Sequence, residues 1–327
     1  MQPLIVTAAL VWAFRAGAPA DAPPLLTPGY VYYAAADKKL YALRAEDGEE
    51  FWSRRFKAPL AVAPVAEGNS IFQYVPYPEG KLYALRAGSG EIIWRAAAGP
   101  GVVTPAVGEG VVAAGRREEA AFWEAATGRE LGAVPFEETV VGLAYAGDGV
   151  FVAWTGGGYV AACRPGEAAA VWTARPVVGG VFVTTAGDRL YVVAAAGTVA
   201  AYGLAAGEEI WRAELGEPVA GAGVWVGGEL VVPGRRTVAA FEATAGGERW
   251  RWAPGGNVRG LAAAPGGVAI VACEDGRVYA GGGSTGWKEI AQLEEFAASG
   301  PAVSGDFLFV TDGKNRVRCY RLAPESP

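Results

Sequence analysis

A ring of eight four-stranded antiparallel blades, an all-β propeller, is the fold class this sequence predicts. Three observations point to it. A pattern of about 40 residues repeats along the chain. Each repeat breaks into four short apolar segments separated by turns that carry Gly or Pro. No window holds a 3.6-residue apolar period over helix length. The whole chain, 1–327, reads as one propeller domain.

The chain opens on an apolar run, LIVTAALVWAF at residues 4–14, which has the look of a fourth blade strand without a blade of its own. The same run resembles the apolar region of a secretory signal, with Ala16, Gly17 and Ala18 after it. No Lys or Arg precedes it, and its 11 residues fall short of the roughly 20 that a bilayer span needs. The repeats proper follow. DKKLYALRAEDGEEFW ends at Trp52 and GKLYALRAGSGEIIW at Trp94, and weaker copies end at Trp172, Trp211 and Trp250. The tryptophan column falls at positions 12, 52, 94, 132, 172, 211, 250 and 290, at intervals of 38 to 42 residues, with Gly132 and Ile290 as departures.

Within a repeat the first strand is a short piece such as APVAEG after Pro64 or TPAVGEG after Thr104. The second alternates, as in YVYYAA from Tyr30 or RLYVVAA from Arg189. The third is LYAL or VAAY, and the fourth carries the tryptophan. The last copy stops after its third strand near Leu322, so the strand around Trp12 is expected to complete the eighth blade and remove the open edges of a linear array. Cleavage of a signal near Ala18 would discard that closing strand, which favours the strand reading.

Composition narrows the chemistry. The chain has no His, which removes the commonest general base and metal ligand, and its three cysteines (Cys163, Cys273, Cys319) lie far apart with no C-x-x-C pair. They fall inside strands and are expected to be buried thiols, with a Cys273–Cys319 disulfide the less favoured alternative. A hydrophobic fraction of 52% with 19% charged residues marks a globular chain, and a net charge of −6 opposes general nucleic-acid binding. Asn and Gln are limited to Asn69, Asn257, Asn315, Gln2, Gln73 and Gln292, which fits a thermophilic source.

The template G-x-L-Y-A-L-x-A-x-x-G-E-x-x-W resembles the quinoprotein-type (PQQ-like) propeller repeat along the whole chain, most strongly at Leu40 to Trp52, Leu82 to Trp94 and Val199 to Trp211. The resemblance implies that Trp12, Trp52, Trp94, Trp172, Trp211 and Trp250 dock one blade on the next, and a large indole suits that task. It also implies two possible roles. The large quinoprotein dehydrogenases hold pyrroloquinoline quinone and calcium, typically clamped by a disulfide between adjacent cysteines and built by long insertions. This chain has neither feature, and none of their calcium-ligand motifs can be matched. The small BamB-like members are non-catalytic scaffolds, similar to this chain in length and lean loops. By that resemblance no catalytic, cofactor-binding or metal-binding residue is expected, a protein partner is expected for a propeller that is itself a monomer within a complex, and an extracytoplasmic location is implied, although the sequence leaves a cytoplasmic one open.

The charged residues outline two faces. Glu46, Asp47, Glu49, Glu50, Glu91, Glu167, Glu208, Glu209 and Glu248 cluster in the turn before the tryptophan strand and read as solvated hairpins. Glycoside hydrolysis would need two of them facing one another across a cleft. Asp312 to Asn315 (DGKN) lacks the acidic ladder of a calcium loop. The glycine runs at 156–158 and 281–283 lack the helix and lysine of a phosphate loop. Lys38, Lys39, Arg116, Arg117, Arg235 and Arg236 all fall at the hairpin between second and third strands, so they should share the face opposite the acidic turns and offer a contact to an acidic partner.

Overall fold

In the computed structural model, which describes residues 6–99, 103–177, 179–283 and 286–324, thirty-two strands form eight four-stranded antiparallel sheets. Residues 4–5 of the N-terminal run and 284–285 of the seventh repeat's turn lie outside the described residues. Blades 1 to 7 span residues 25–55, 65–97, 106–135, 140–174, 181–214, 224–252 and 258–292. Blade 8 pairs strands from both ends of the chain.

The strand lengths follow the sequence. β3 (Tyr30–Ala34) and β4 (Lys39–Arg44) are buried along most of their length, because they lie between neighbouring blades and bear Val, Tyr, Leu and Ala on both faces. β5 (Glu50–Arg55) alternates in exposure, because it is the outermost strand and shows one face to water. The innermost strand is short, as in β2 (Leu25–Thr27), and innermost strands of adjacent blades touch one another around the ring. Eight clusters of buried residues result, and each joins the facing sheets of two blades.

Closure is by the N-terminal strand. β1 (Val6–Arg15) pairs antiparallel with β32 (Arg316–Pro324) from Val6↔Pro324 to Arg15↔Arg316 and becomes the outer strand of blade 8. A bulge between Leu10 and Trp12 breaks the alternation and leaves Leu10 and Val11 exposed. Residues that could have been read as a signal are therefore a strand of the ring.

An ionic cluster built around buried Asp312 and Arg318 ties blades 7 and 8. Asp312, fully buried at the end of β31 (Phe307–Asp312), accepts from Arg316 Nε and Arg318 Nε at 2.9 Å each and from the backbone N–H of Lys314 at 2.9 Å. Glu294, in the connection from blade 7, accepts from Arg316 at 2.8 Å and Arg318 at 3.0 Å. Hydrogen bonds from Arg316, then Arg318, hold the Glu294 carboxyl well below its usual 4.5, at about 2. A depressed folded-state pKa contributes stability that is fully present above the unfolded value and lost as pH falls through the folded one. Native protein and Glu294→Gln should therefore differ in urea midpoint above pH 4.5, and the difference should close as pH drops toward 2. A difference that does not change with pH would show that the carboxylate's charge is irrelevant.

Candidate functional site

The repeated tryptophans do one job at five junctions. The indole N–H of Trp12, Trp52, Trp94, Trp172 and Trp211 donates to the carbonyl of Ala45, Ala87, Ala125, Leu204 and Ala243 in the next blade, at 2.7–2.9 Å. Each ring lies against the glycine of that blade's outer turn: Gly48, Gly90, Gly128, Gly207 or Gly246. A Cβ on any of these would sit 2.5–2.6 Å from the ring, and all five have φ between +68° and +73°. Glycine is required twice over, by contact and by left-handed backbone. The template's G and W are thus the two halves of one clamp across neighbouring blades.

Three junctions depart. At blades 3–4 Gly132 replaces the tryptophan, and Tyr145 from the innermost strand of blade 4 packs on Gly108 instead, with Phe122 and Phe151 filling the core at 5.4 Å. At blades 6–7 Trp250 does not make the expected bond to the next blade. Its N–H donates to Glu229 of its own blade at 2.8 Å, and its ring meets Trp287 edge-on at 5.8 Å. Trp252 stacks flat on Trp287 at 4.1 Å, so this seam is held by an aromatic cluster. At blades 7–8 Ile290 stands in the column and lies against the core shared by those blades.

A second set of clamps, made by carboxylates, occupies the opposite face and was not legible in the repeat. Asp37 accepts from Gly17 N–H at 3.2 Å, Lys39 N–H at 3.1 Å and the Tyr41 hydroxyl. Glu79 accepts from Lys57 N–H at 2.6 Å and the Tyr83 hydroxyl. Glu138 binds the Thr155 hydroxyl and Gly157 N–H, and Glu217 binds the Arg236 and Thr237 N–H groups. In each case an acid joins the connection entering a blade to that blade's second hairpin. Burial first, and then the bonded carboxylate, push the Tyr41 and Tyr83 phenols up to about 12.

The acidic turns are solvated hairpins, and several of their carboxylates pair with strand arginines: Asp47 with Arg44 at 2.8 Å, Glu209 with Arg212 at 2.5 Å, Glu248 with Arg251 at 2.6 Å. Asp148, Asp188 and Asp306 of the innermost hairpins add to that face. Shallow grooves open between blades there. One of about 420 Å³ lies between blades 8 and 1 beside Tyr30, Phe307 and Arg321. Another of about 390 Å³ lies between blades 5 and 6, where Trp225 is 38% exposed.

The six basic residues do share the other face, at the second hairpin of blades 1, 3 and 6. They do not form one patch. Blade 6, with Arg235 and Arg236, is three blades from blade 3 and three from blade 1 around the ring. Arg116 is paired with Glu119 and Glu130 at 2.9 Å each, and Lys39 lies over the Tyr41 ring at 5.3 Å. Lys38, Arg117, Arg235 and Arg236 are exposed.

Cys163, Cys273 and Cys319 are free, fully buried and in three different blades; burial pushes each thiol up to about 12. They should resist a thiol reagent in native protein at pH 8 and all react once urea unfolds it; fast native labelling of any one would contradict its burial. Among the described residues no group of three or more acidic or cysteine side chains could hold a metal ion. The separated, buried cysteines cannot form the vicinal disulfide that clamps the quinone, and no cluster of three carboxylates among the described residues offers a calcium site, so the residues present do not fit pyrroloquinoline quinone with calcium.

A family model described as outer membrane protein assembly factor BamB matches residues 5–174 and 156–286. The chain belongs to that family of PQQ-like propellers. No curated protein sequence matches it. Solved structures share its fold at low identity. The computationally designed Ika8 protein has a TM-score of 0.81 at 13% identity, covering 95% of this chain and 99% of that one. BamB from Moraxella catarrhalis has a TM-score of 0.77 at 15% identity, covering 97% and 98%. The quinohemoprotein alcohol dehydrogenase ADHIIG from Pseudomonas putida HK5 has a TM-score of 0.78 at 12% identity, covering 98% of this chain and 77% of that one. BamB-like and dehydrogenase propellers thus share one architecture, and the fold alone does not separate their functions. No helix of the described residues is long and apolar enough to cross a membrane.

Proposed function

We propose that this member of the BamB-like family is a non-catalytic scaffold that binds partner proteins, with an extracytoplasmic role in assembling envelope proteins. The observation that carries the reading is the use of its polar residues. The hairpin and connection carboxylates Asp37, Glu79, Glu138, Glu217 and Glu294 are committed to holding loops, and the repeated aromatics to holding blades. What projects from the faces is short hairpins bearing Lys, Arg and exposed aromatic side chains, a composition suited to docking. The competing reading, a quinoprotein-like enzyme or a ligand sensor using the central funnel, rests on the shared architecture.

Addition of pyrroloquinoline quinone and calcium to purified protein separates the two readings. The scaffold reading expects no saturable quinone binding, no rise in melting temperature and no dye reduction with alcohols or aldoses. Stoichiometric quinone binding with turnover would sink it.

A further inference from the structure

The face that carries the hairpins between second and third strands is not uniform. Over blades 1 to 3 several of its cationic side chains have no ion-pair partner, Arg116 being paired with Glu119 and Glu130, while over blades 7 and 8 they are paired. Lys314 lies within 3.6 Å of Glu294 and Glu295, and Arg316 and Arg318 are held by Asp312 and Glu294. By contrast Lys38, Lys57, Lys81 and Arg117 have no ion-pair partner among the described residues, and three of them (Lys38, Lys57, Arg117) are exposed.

These four residues are connected by a continuous series of backbone and side-chain contacts. Phe56 N–H donates to the Lys38 carbonyl at 2.7 Å, which sets Lys57 beside the blade 1 hairpin. Lys57 N–H donates to Glu79 in the blade 2 hairpin, which Lys81 closes. Ala98 N–H donates to Gly80 O at 2.9 Å, and neighbouring Gly99 meets the Arg116 stem, bringing in the blade 3 hairpin with Arg117. Most of the acids in this stretch are turned away from solvent contacts: Asp37 and Glu79 into hairpins, Glu119 onto Arg116. Asp21, Glu118 and Glu137 remain as carboxylates without a bonded partner among the described residues.

In the middle of this arc stands Tyr77, 83% exposed at the tip of the blade 2 hairpin. An exposed tyrosine among cations gives an apolar body and a hydroxyl, the side chain favoured at the centre of protein contacts.

We infer that the sector made by Lys38, Lys57, Tyr77, Lys81 and Arg117 is a docking surface for an acidic polypeptide segment carrying apolar residues among its Asp and Glu. The inference rests on the scaffold reading and narrows it, leaving out Arg235 and Arg236. A protein segment fits better than a membrane or nucleic acid. The chain is net −6 and its opposite face is acidic, so an extended polyanion would meet repulsion beyond this sector, whereas a short acidic segment can stay within it.

The probe is a short fluorescein-labelled peptide of Asp and Glu interspersed with Leu, read by anisotropy against full-length protein. Binding should weaken about tenfold in K38E/K57E/R117E and severalfold in Tyr77→Ala, weaken with added salt, and change less than twofold in R235E/R236E. The milder K38Q/K57Q/R117Q variant, checked for a native melting temperature, should give a smaller loss in the same direction. Equal loss in the blade 6 control, or no loss in the sector variants, overturns the inference. So does failure of the native protein to bind the peptide while it binds phosphatidylglycerol vesicles or duplex DNA. None of these results touches the scaffold reading, which fails only if the quinone experiment above gives turnover.

Discussion

Removing residues 1–15 is expected to abolish the cooperative fold. β1 supplies the outer strand of blade 8, and its loss leaves the β32 edge unpaired from Arg316 to Pro324. It also removes Trp12, which is 8% exposed, packs on Phe309 at 5.8 Å and clamps blade 1 at Gly48 and Ala45. The seam between blades 8 and 1 then keeps only its inner contacts, and an unpaired apolar edge is a template for association. By light scattering and calorimetry the shortened chain should be aggregated, or unfold broadly well below the intact protein. A sharp monomeric transition at the native temperature would mean that blade 8 does not need its fourth strand.

The second large effect distinguishes two tryptophans that the sequence alone treats as equals. Trp211 is 7% exposed, with its ring over Gly246 and its N–H on Ala243. Trp211→Ala leaves a cavity between blades 5 and 6 and an unbonded carbonyl, and should cost about 3–5 kcal/mol in urea unfolding. Trp250 is only half-buried and bonds Glu229 within its own blade, with Trp252 and Trp287 remaining stacked when it is removed. Trp250→Ala should cost about 1–2 kcal/mol. Equal losses would show that the indole's area, rather than the clamp to the next blade, sets its contribution.

The contrast marks what the sequence could disclose. The period, the four strands per repeat, the closing strand and five of six tryptophan clamps were legible, because each depends on a residue type recurring at one place in a local unit. Trp250 was not, because its partner depends on Glu229 on a different strand and on Trp287 in the next blade, neither of which repeats. The carboxylate clamps were hidden for a related reason. Asp37 and Glu79 lie in a blade's hairpin, whereas Glu138 and Glu217 reach the hairpin from the connection before it, so one contact is made from two sequence positions.

The basic residues show a different limit. Their common face follows from strand order, but a face is a ring, and a period of about 40 residues already separates Lys38, Arg117 and Arg235 by two and three blades. Which cations stay unpaired depends on carboxylates from neighbouring loops, whose pairing follows from the folded ring and from no local pattern. Tyr77 carries no repeat signal at all; its exposure at a hairpin tip singles it out.

Any docking role depends on the ring being one cooperative body, and native-state hydrogen exchange of the β1 amides tests that most directly. The pairing from Val6↔Pro324 to Arg15↔Arg316 should give bonded β1 amides the same opening free energy as β32, released only by global unfolding. Exchange of β1 through a separate, lower-energy opening, with β32 still protected, would contradict the closed ring.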